Sequence, residues 1–200
     1  CWASDNLDAV SRTAIQRGFL AFLPPEVMGS HIGASPAHAT GRSQSLAFRA
    51  AVAMPGHFGI ELDPRRLDAA DSAELADWIA FHRQWRDLLH RGRVWLGDGA
   101  DGLVWQAQGG EDEFLLFAIR IAPALDRRPQ PLKLPFLAGQ GRCQVELLRI
   151  ACGRQQHAVP LPALWHTGAS FSQAWLAHAG LPMPPLGAET VAIFHVRARS

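Results

Sequence analysis

The texture of this chain changes at Gly92, and that change constrains the fold more than any other feature. From Asp5 to His90 helical patterns alternate with short apolar segments. From Gly92 to Arg199 the pattern is short strands, turns and prolines. A β/α alternation with crossover helices implies parallel strands, because parallel neighbours need a long connection. Short strands separated by Gly- and Asp-rich turns imply antiparallel pairing. An α/β part is therefore expected over residues 1–91 and an antiparallel β part over residues 92–200. Of the 200 residues 48% are hydrophobic and 18% charged, so a sizeable core is available and global disorder is disfavoured.

In the first part, Ser4 or Asp5 can cap a helix running through Ala9, Val10, Ala14 and Ile15, with Gly18 as its stop. Phe19–Leu23 is continuously apolar and reads as a buried strand ended by Pro24-Pro25. Met28 to Gln44 is rich in Gly, Ser, Ala, Pro and His and reads as a long loop. A short helix is expected over Leu46–Met54 and a strand over His57–Leu62. Asp71 or Ser72 caps the clearest helix, whose apolar face is Leu75, Trp78, Ile79, His82, Trp85, Leu88 and Leu89. In the second part the candidate strands are Arg93–Leu96, Gly102–Ala107, Glu113–Ile121, Pro131–Leu134, Cys143–Ile150 and Thr190–Val196, with a helical interruption over Ser172–Ala179. Their spacing favours an antiparallel β domain.

Net charge is +1 with no block of like charge, which argues against nucleic acid or an acidic membrane surface as a partner. The longest apolar stretch near the start, Phe19–Leu23, is far too short to span a bilayer. Three cysteines, Cys1, Cys143 and Cys152, form no C-x-x-C pair; a disulfide framework or zinc site is not expected, and a reducing cytoplasm fits. His31, His38 and His57 lack metal-ligand spacing, so no metal is expected. His31 and His38 lie on one loop and can line a site entrance. No G-x-S-x-G elbow surrounds Ser30 or Ser35.

The segment with chemical content is Trp2-Ala3-Ser4-Asp5-Asn6-Leu7-Asp8-Ala9. Asp5 sits between a strand end and a helix start. From position alone that is an ordinary N-cap. Asp8 falls in the first helical turn, where its charge suits the helix dipole. Trp2 offers an aromatic face, which suits either a sugar or the core.

This segment resembles the acid/base region of the bacterial α-galactosidases of glycoside hydrolase family 36, in clan D. Further stretches resemble the same family in the same order: Pro25-Glu26-Val27-Met28-Gly29-Ser30-His31, then His38 with Thr40-Gly41-Arg42, then Met54-Pro55-Gly56-His57-Phe58-Gly59-Ile60-Glu61-Leu62-Asp63, then Ala80-Phe81-His82 through Leu88, and finally Leu176 to Val196. The resemblance implies a fold of α/β plus β type: the C-terminal part of a (β/α)8 TIM barrel in residues 1–91, then an antiparallel β-sandwich domain in 92–200. Trp2–Asp5 would end the sixth barrel strand, Phe19–Leu23 would be the seventh and Phe58–Leu62 the eighth.

It implies a retaining α-galactosidase acting on terminal α-galactosides of melibiose and raffinose type. Asp5 would be the general acid/base, with Asp5 and Trp2 contacting the α-galactoside substrate. No cofactor is implied, and the parent enzyme would be a cytoplasmic homo-oligomer. The family's Lys-Trp-Asp nucleophile motif is absent: Lys133, the only lysine, sits in Leu132-Lys133-Leu134, and Asp77-Trp78 is inverted. The nucleophile would lie upstream of residue 1, and this chain alone would be inactive. The same fold with α-N-acetylgalactosaminidase or galactosyltransferase specificity, or a non-catalytic carbohydrate-binding module, are the alternatives.

Overall fold

The computed structural model describes residues 1–126, 128–137, 139–153 and 161–199. Its first helix, α1 (Ala9–Leu20), is started by Asp8, whose carboxylate accepts hydrogen bonds from the N–H groups of Val10 at 2.9 Å and Ser11 at 3.2 Å. The buried face of α1 is Ala9, Arg12, Thr13, Gln16 and Leu20, a stripe at helical spacing made largely of polar residues. Gln16 Nε2 donates to Ser30 Oγ at 3.0 Å and Thr13 Oγ1 to the Ala9 carbonyl at 2.9 Å, so these buried groups are satisfied.

Three expectations are corrected here. The cap is Asp8, not Ser4 or Asp5; the helix runs through Gly18; and Phe19–Leu23 is no strand. Phe19 and Leu20 finish α1, and Phe22 and Leu23 are 90% and 45% exposed in the turn that follows. A short apolar run carries no periodicity that separates a buried strand from a helix end. The strand after α1 is instead β1 (Gly29–Ile32), inside the segment expected to be a loop. Of its four residues only Ile32 favours a strand on its own. Pairing supplies the order: β1 runs parallel to β2 (His57–Ile60), Gly29 opposite His57 through Ile32 opposite Ile60. Trp2 adds a parallel bridge to Gly29 on the other side.

Three parallel segments thus alternate with α1 and α2 (Leu46–Ala53), and α3 (Ala69–Arg91) follows β2. Asp68 caps α3 by accepting from the Asp71 N–H at 2.7 Å, one turn earlier than Asp71 or Ser72.

The remainder is one antiparallel sheet of six strands: β3 (Arg93–Asp98), β4 (Leu103–Gly109), β5 (Glu113–Arg120), β6 (Arg142–Ala151), β7 (Ala169–Ser172) and β8 (Thr190–Arg199), in the order β3-β4-β5-β8-β6-β7. Two short helices, α4 (Leu164–Thr167) and α5 (Gln173–His178), flank β7. Two packed sheets were expected; among the described residues there is one. One face packs on α2 and α3 through Phe48, Val52, Trp78, Phe81, Leu115, Phe117 and Ile193. The other face, with Trp105, Leu116 and Phe194, is covered by Leu132, Leu134, Leu176, Leu181 and Leu186.

The expected strand Pro131–Leu134 reduces to a single bridge between Leu132 and Leu181. Pro129, Pro131 and Pro135 on one side and Pro182, Pro184 and Pro185 on the other lack the N–H groups a ladder needs. The covering layer is therefore apolar loop and the short helix α5 rather than sheet.

The two parts of the chain share one core. Gln108 Nε2 donates to the carbonyls of Pro55 at 2.9 Å and Leu89 at 2.5 Å. Arg149 grips Asp77 with both terminal nitrogens, at 2.5 and 3.2 Å, and its guanidinium lies 4.1 Å from the Phe81 ring centre.

Candidate functional site

Ser4, Asp5 and Asn6 bend the chain between the Trp2 bridge and α1. Ser4 Oγ accepts from the Asn6 N–H at 3.1 Å, and Asn6 Oδ1 from the Asp8 N–H at 2.9 Å. Short polar side chains that bond two residues along are what such a bend requires. The bend leaves Asp5 exposed just past a parallel strand segment, while Gly33 and Glu61 follow the ends of β1 and β2. The C-terminal edge of a parallel sheet is where such folds gather reactive side chains.

Trp2 and Asp5 are together: indole Nε1 donates to Asp5 Oδ1 at 3.0 Å. Among the described residues no hydrogen bond is made to Oδ2. Trp2 is 57% exposed on one side, while on the other its ring stacks on His31, centroids 4.1 Å apart and planes 14° from parallel. His31 is buried. Its Nε2 lies 2.5 Å from Glu61 Oε2, and its Nδ1 lies 3.1 Å from Arg12 Nη2, which also donates to the Ser4 carbonyl at 3.0 Å.

Burial, with the Arg12 charge beside it, pushes the His31 imidazole down to about 4, against the opposing pull of Asp5. His31 is therefore neutral at pH 7, and its contact with Glu61 is a hydrogen bond rather than an ion pair. Burial also works against the Arg12 guanidinium, and the charges of Glu61 and Asp5 offset part of that. Arg12 is 2% exposed, and among the described residues its Nε and Nη1 have no hydrogen-bond partner.

Asp8 is separate from this group and wholly buried. Besides capping α1 it accepts from Thr40 Oγ1 at 2.6 Å and Arg42 Nη1 at 3.0 Å. Burial would raise its carboxyl, but the hydrogen bonds from Thr40 and Ser11 and the charge of Arg42 outweigh it and hold the group below its ordinary value. The Thr40-Gly41-Arg42 stretch thus serves to lock Asp8.

His31, His38 and His57 do not converge. His38 is exposed on its loop, and His57 Nε2 donates to the Glu26 carbonyl at 2.6 Å, its ring 4.4 Å from that of His90. Among the described residues no three His, Cys, Asp or Glu side chains converge as metal ligands do. Two open clefts lie away from Asp5. One of about 160 Å³ is lined by Arg120, Pro131 and Leu186, and one of about 520 Å³ by Gln44, Arg49 and Cys152.

Arg12 and Glu61 are members of the Asp5 group that sequence reasoning did not assign. Glu61 stood in a recognisable stretch without a role; Arg12 had no sequence signal, since a lone arginine in a helix reads as solvated.

The family description "Melibiase" matches residues 1–92. The chain is 37% identical over 198 residues to an α-galactosidase of Escherichia coli, a match over 94% of this chain. It is 32% identical over 191 residues to the bifunctional α-galactosidase/sucrose kinase AgaSK of Mediterraneibacter gnavus. The chain spans 28% of the first relative's length and 18% of the second's. Among solved structures, the galactosidase domain of AgaSK superposes with a TM-score of 0.78 at 27% identity, over 98% of this chain and 25% of that one. AgaA of Geobacillus stearothermophilus in complex with raffinose superposes at 0.79 with 24% identity, again over 98% and 25% of the two chains. The chain belongs to the melibiase family of α-galactosidases, glycoside hydrolase family 36.

Proposed function

We propose that this chain forms part of a retaining α-galactosidase and carries its general acid/base, Asp5. In this reading residues 1–91 are the last strands and helices of a (β/α)8 barrel, and 92–200 its C-terminal β domain. The observation that carries the reading is the exposed Asp5 carboxyl just past a parallel strand segment, gripped through one oxygen by Trp2 and open at the other. A general acid needs a proton-bearing oxygen within reach of the leaving group and a second contact that fixes its aim. The exposed face of Trp2 suits the apolar face of a galactosyl ring. The raffinose complex of AgaA and the α-galactosidase names of the relatives support the substrate class.

Retaining hydrolysis also needs a carboxylate nucleophile about 5–5.5 Å from the acid. In this reading it is supplied from outside these residues. Glu61, just past the end of β2, is engaged by His31. In the first half-reaction Asp5 gives its proton to the glycosidic oxygen as the C–O bond breaks and the nucleophile bonds to C1. In the second, Asp5 takes a proton from water as that water displaces the nucleophile, so α-galactose is released.

Proton NMR of p-nitrophenyl α-D-galactoside hydrolysis by the full-length protein tests this. The α-anomer of galactose should appear first. Initial β-anomer would mean inversion, and no hydrolysis at all would remove the enzyme reading.

A further inference from the structure

We propose that His31 is a positioning residue for Asp5, acting through Trp2. The inference rests on the reading of Asp5 as acid/base and adds to it the means by which the carboxyl is held. Asp5 has one side-chain hydrogen bond among the described residues, from Trp2 Nε1 at 3.0 Å. The aim of Asp5 is therefore no better than that of the indole. Trp2 is itself 57% exposed, and an indole with that much open surface needs a second contact to hold one rotamer. That contact is the stack on His31, 4.1 Å between centroids and 14° from parallel.

His31 is suited to be a floor because it cannot move. It is 3% exposed and sits on β1, paired to β2. Its ring is held by Glu61 from beyond β2, which accepts from Nε2, and by Arg12 from α1, whose Nη2 donates to Nδ1 at 3.1 Å. The Arg12 guanidinium is pinned in turn to the Ser4 carbonyl, one residue before Asp5. The constraint thus runs from the buried sheet through His31 to Trp2 and Asp5, and closes on the backbone beside Asp5. It leaves Asp5 Oδ2 for the transferred proton. The groups facing this assembly are Arg12 from α1, His31 from β1 and Glu61 from the end of β2.

A residue that aims an acid has a signature that a residue supporting the fold lacks. The sugar leaving groups of raffinose and melibiose are poor alkoxides and depend on the acid. A p-nitrophenolate leaves with little help. The test compares kcat/KM for raffinose and for p-nitrophenyl α-D-galactoside in the full-length enzyme with His31→Ala, His31→Phe, Trp2→Phe and Asp5→Ala. His31→Ala should lose at least about tenfold more on raffinose than on the aryl galactoside, the scale of a displaced catalytic group. His31→Phe keeps a ring beneath the indole and should recover most of that selective loss. Trp2→Phe removes the N–H and should show the selective loss, with His31→Ala adding nothing to it in the double variant.

Equal losses on both substrates, or a Phe variant no better than Ala, would overturn the proposal. Should His31→Ala not fold, His31→Leu fills the volume without a ring face and carries the same expectation. Unchanged raffinose hydrolysis by Asp5→Ala would overturn the acid/base reading itself, which separates the two failures.

Discussion

Removing the Asp8 side chain should loosen α1 without touching Asp5. The cap on Val10 and Ser11 contributes about 1 kcal/mol. The bonds from Thr40 and Arg42 go to a buried charge, a class contributing roughly 1.5–3 kcal/mol each. Both must be discounted steeply, because Thr40 is exposed and the Arg42 side chain is 43% exposed, so each recovers water when released. A total of roughly 2–3 kcal/mol follows for Asp8→Ala, or about 30- to 150-fold faster hydrogen exchange in the peptide covering Ala9–Leu20 of the full-length protein. Asp8→Asn keeps an acceptor for the cap and should cost about half as much.

The pH dependence has a fixed sign. The folded carboxyl lies below its ordinary value of 3.8, so its contribution is fully present above that value and fades as pH falls through the folded pKa. The exchange ratio between wild type and Asp8→Asn should therefore shrink below about pH 3.8 and be constant above pH 5. An Asp8→Ala protein exchanging within about threefold of wild type at pH 7 would refute the assignment of Asp8 as the lock of α1.

Three further outcomes are expected. Gly56→Ala places a methyl carbon 2.7 Å from Ser30 Cβ and 2.8 Å from the Met28 carbonyl oxygen, so it should cost roughly 1–3 kcal/mol and lower the midpoint of thermal unfolding; an unchanged midpoint would contradict the close approach of β1 and β2. Arg149→Met removes the grip on Asp77 and the contact with Phe81. Because Asp77 is 62% exposed the cost should be about 1–2 kcal/mol in urea titration, and no loss would mean the β6–α3 link is idle. Burial raises the Cys143 thiol, with a partly opposing hydrogen bond from Gln173, so Cys143 should resist maleimide labelling at pH 7 until the protein unfolds; rapid labelling would contradict its place in the core.

The parallel-then-antiparallel order was legible because the helices of the first part and the strands of the second carry different periods. The helix ending at Arg91 was plain for the same reason: Leu75, Trp78 and Leu89 repeat at helical spacing. The failures share a cause. The inward stripe of α1 is Arg12, Thr13 and Gln16, so its burial has no hydrophobic signature, and Phe19–Leu23, the apolar run beside it, drew the strand assignment. The Gly29–Ile32 strand exists through parallel pairing with a partner far along the chain, which local propensity does not record.

At the candidate site, the pairing of Trp2 with Asp5 was within reach of the sequence because both lie in one short recognisable segment. Their geometry was not, since His31, Arg12 and Glu61 arrive from three different elements. The domain boundary drawn at Gly92 matches a change of texture, but the packing of Phe48 and Trp78 on Phe117 and Ile193 crosses it.

The central claim is that Asp5 is the acid/base, and the direct measurement is turnover of p-nitrophenyl α-D-galactoside by the full-length Asp5→Ala enzyme with and without azide. An acid/base variant is still glycosylated by this good leaving group, then stalls. Azide, which needs no general base, should release it and give α-galactosyl azide, with configuration retained. A β-galactosyl azide would make Asp5 the nucleophile instead. Wild-type turnover that azide leaves unchanged would contradict any catalytic role for Asp5.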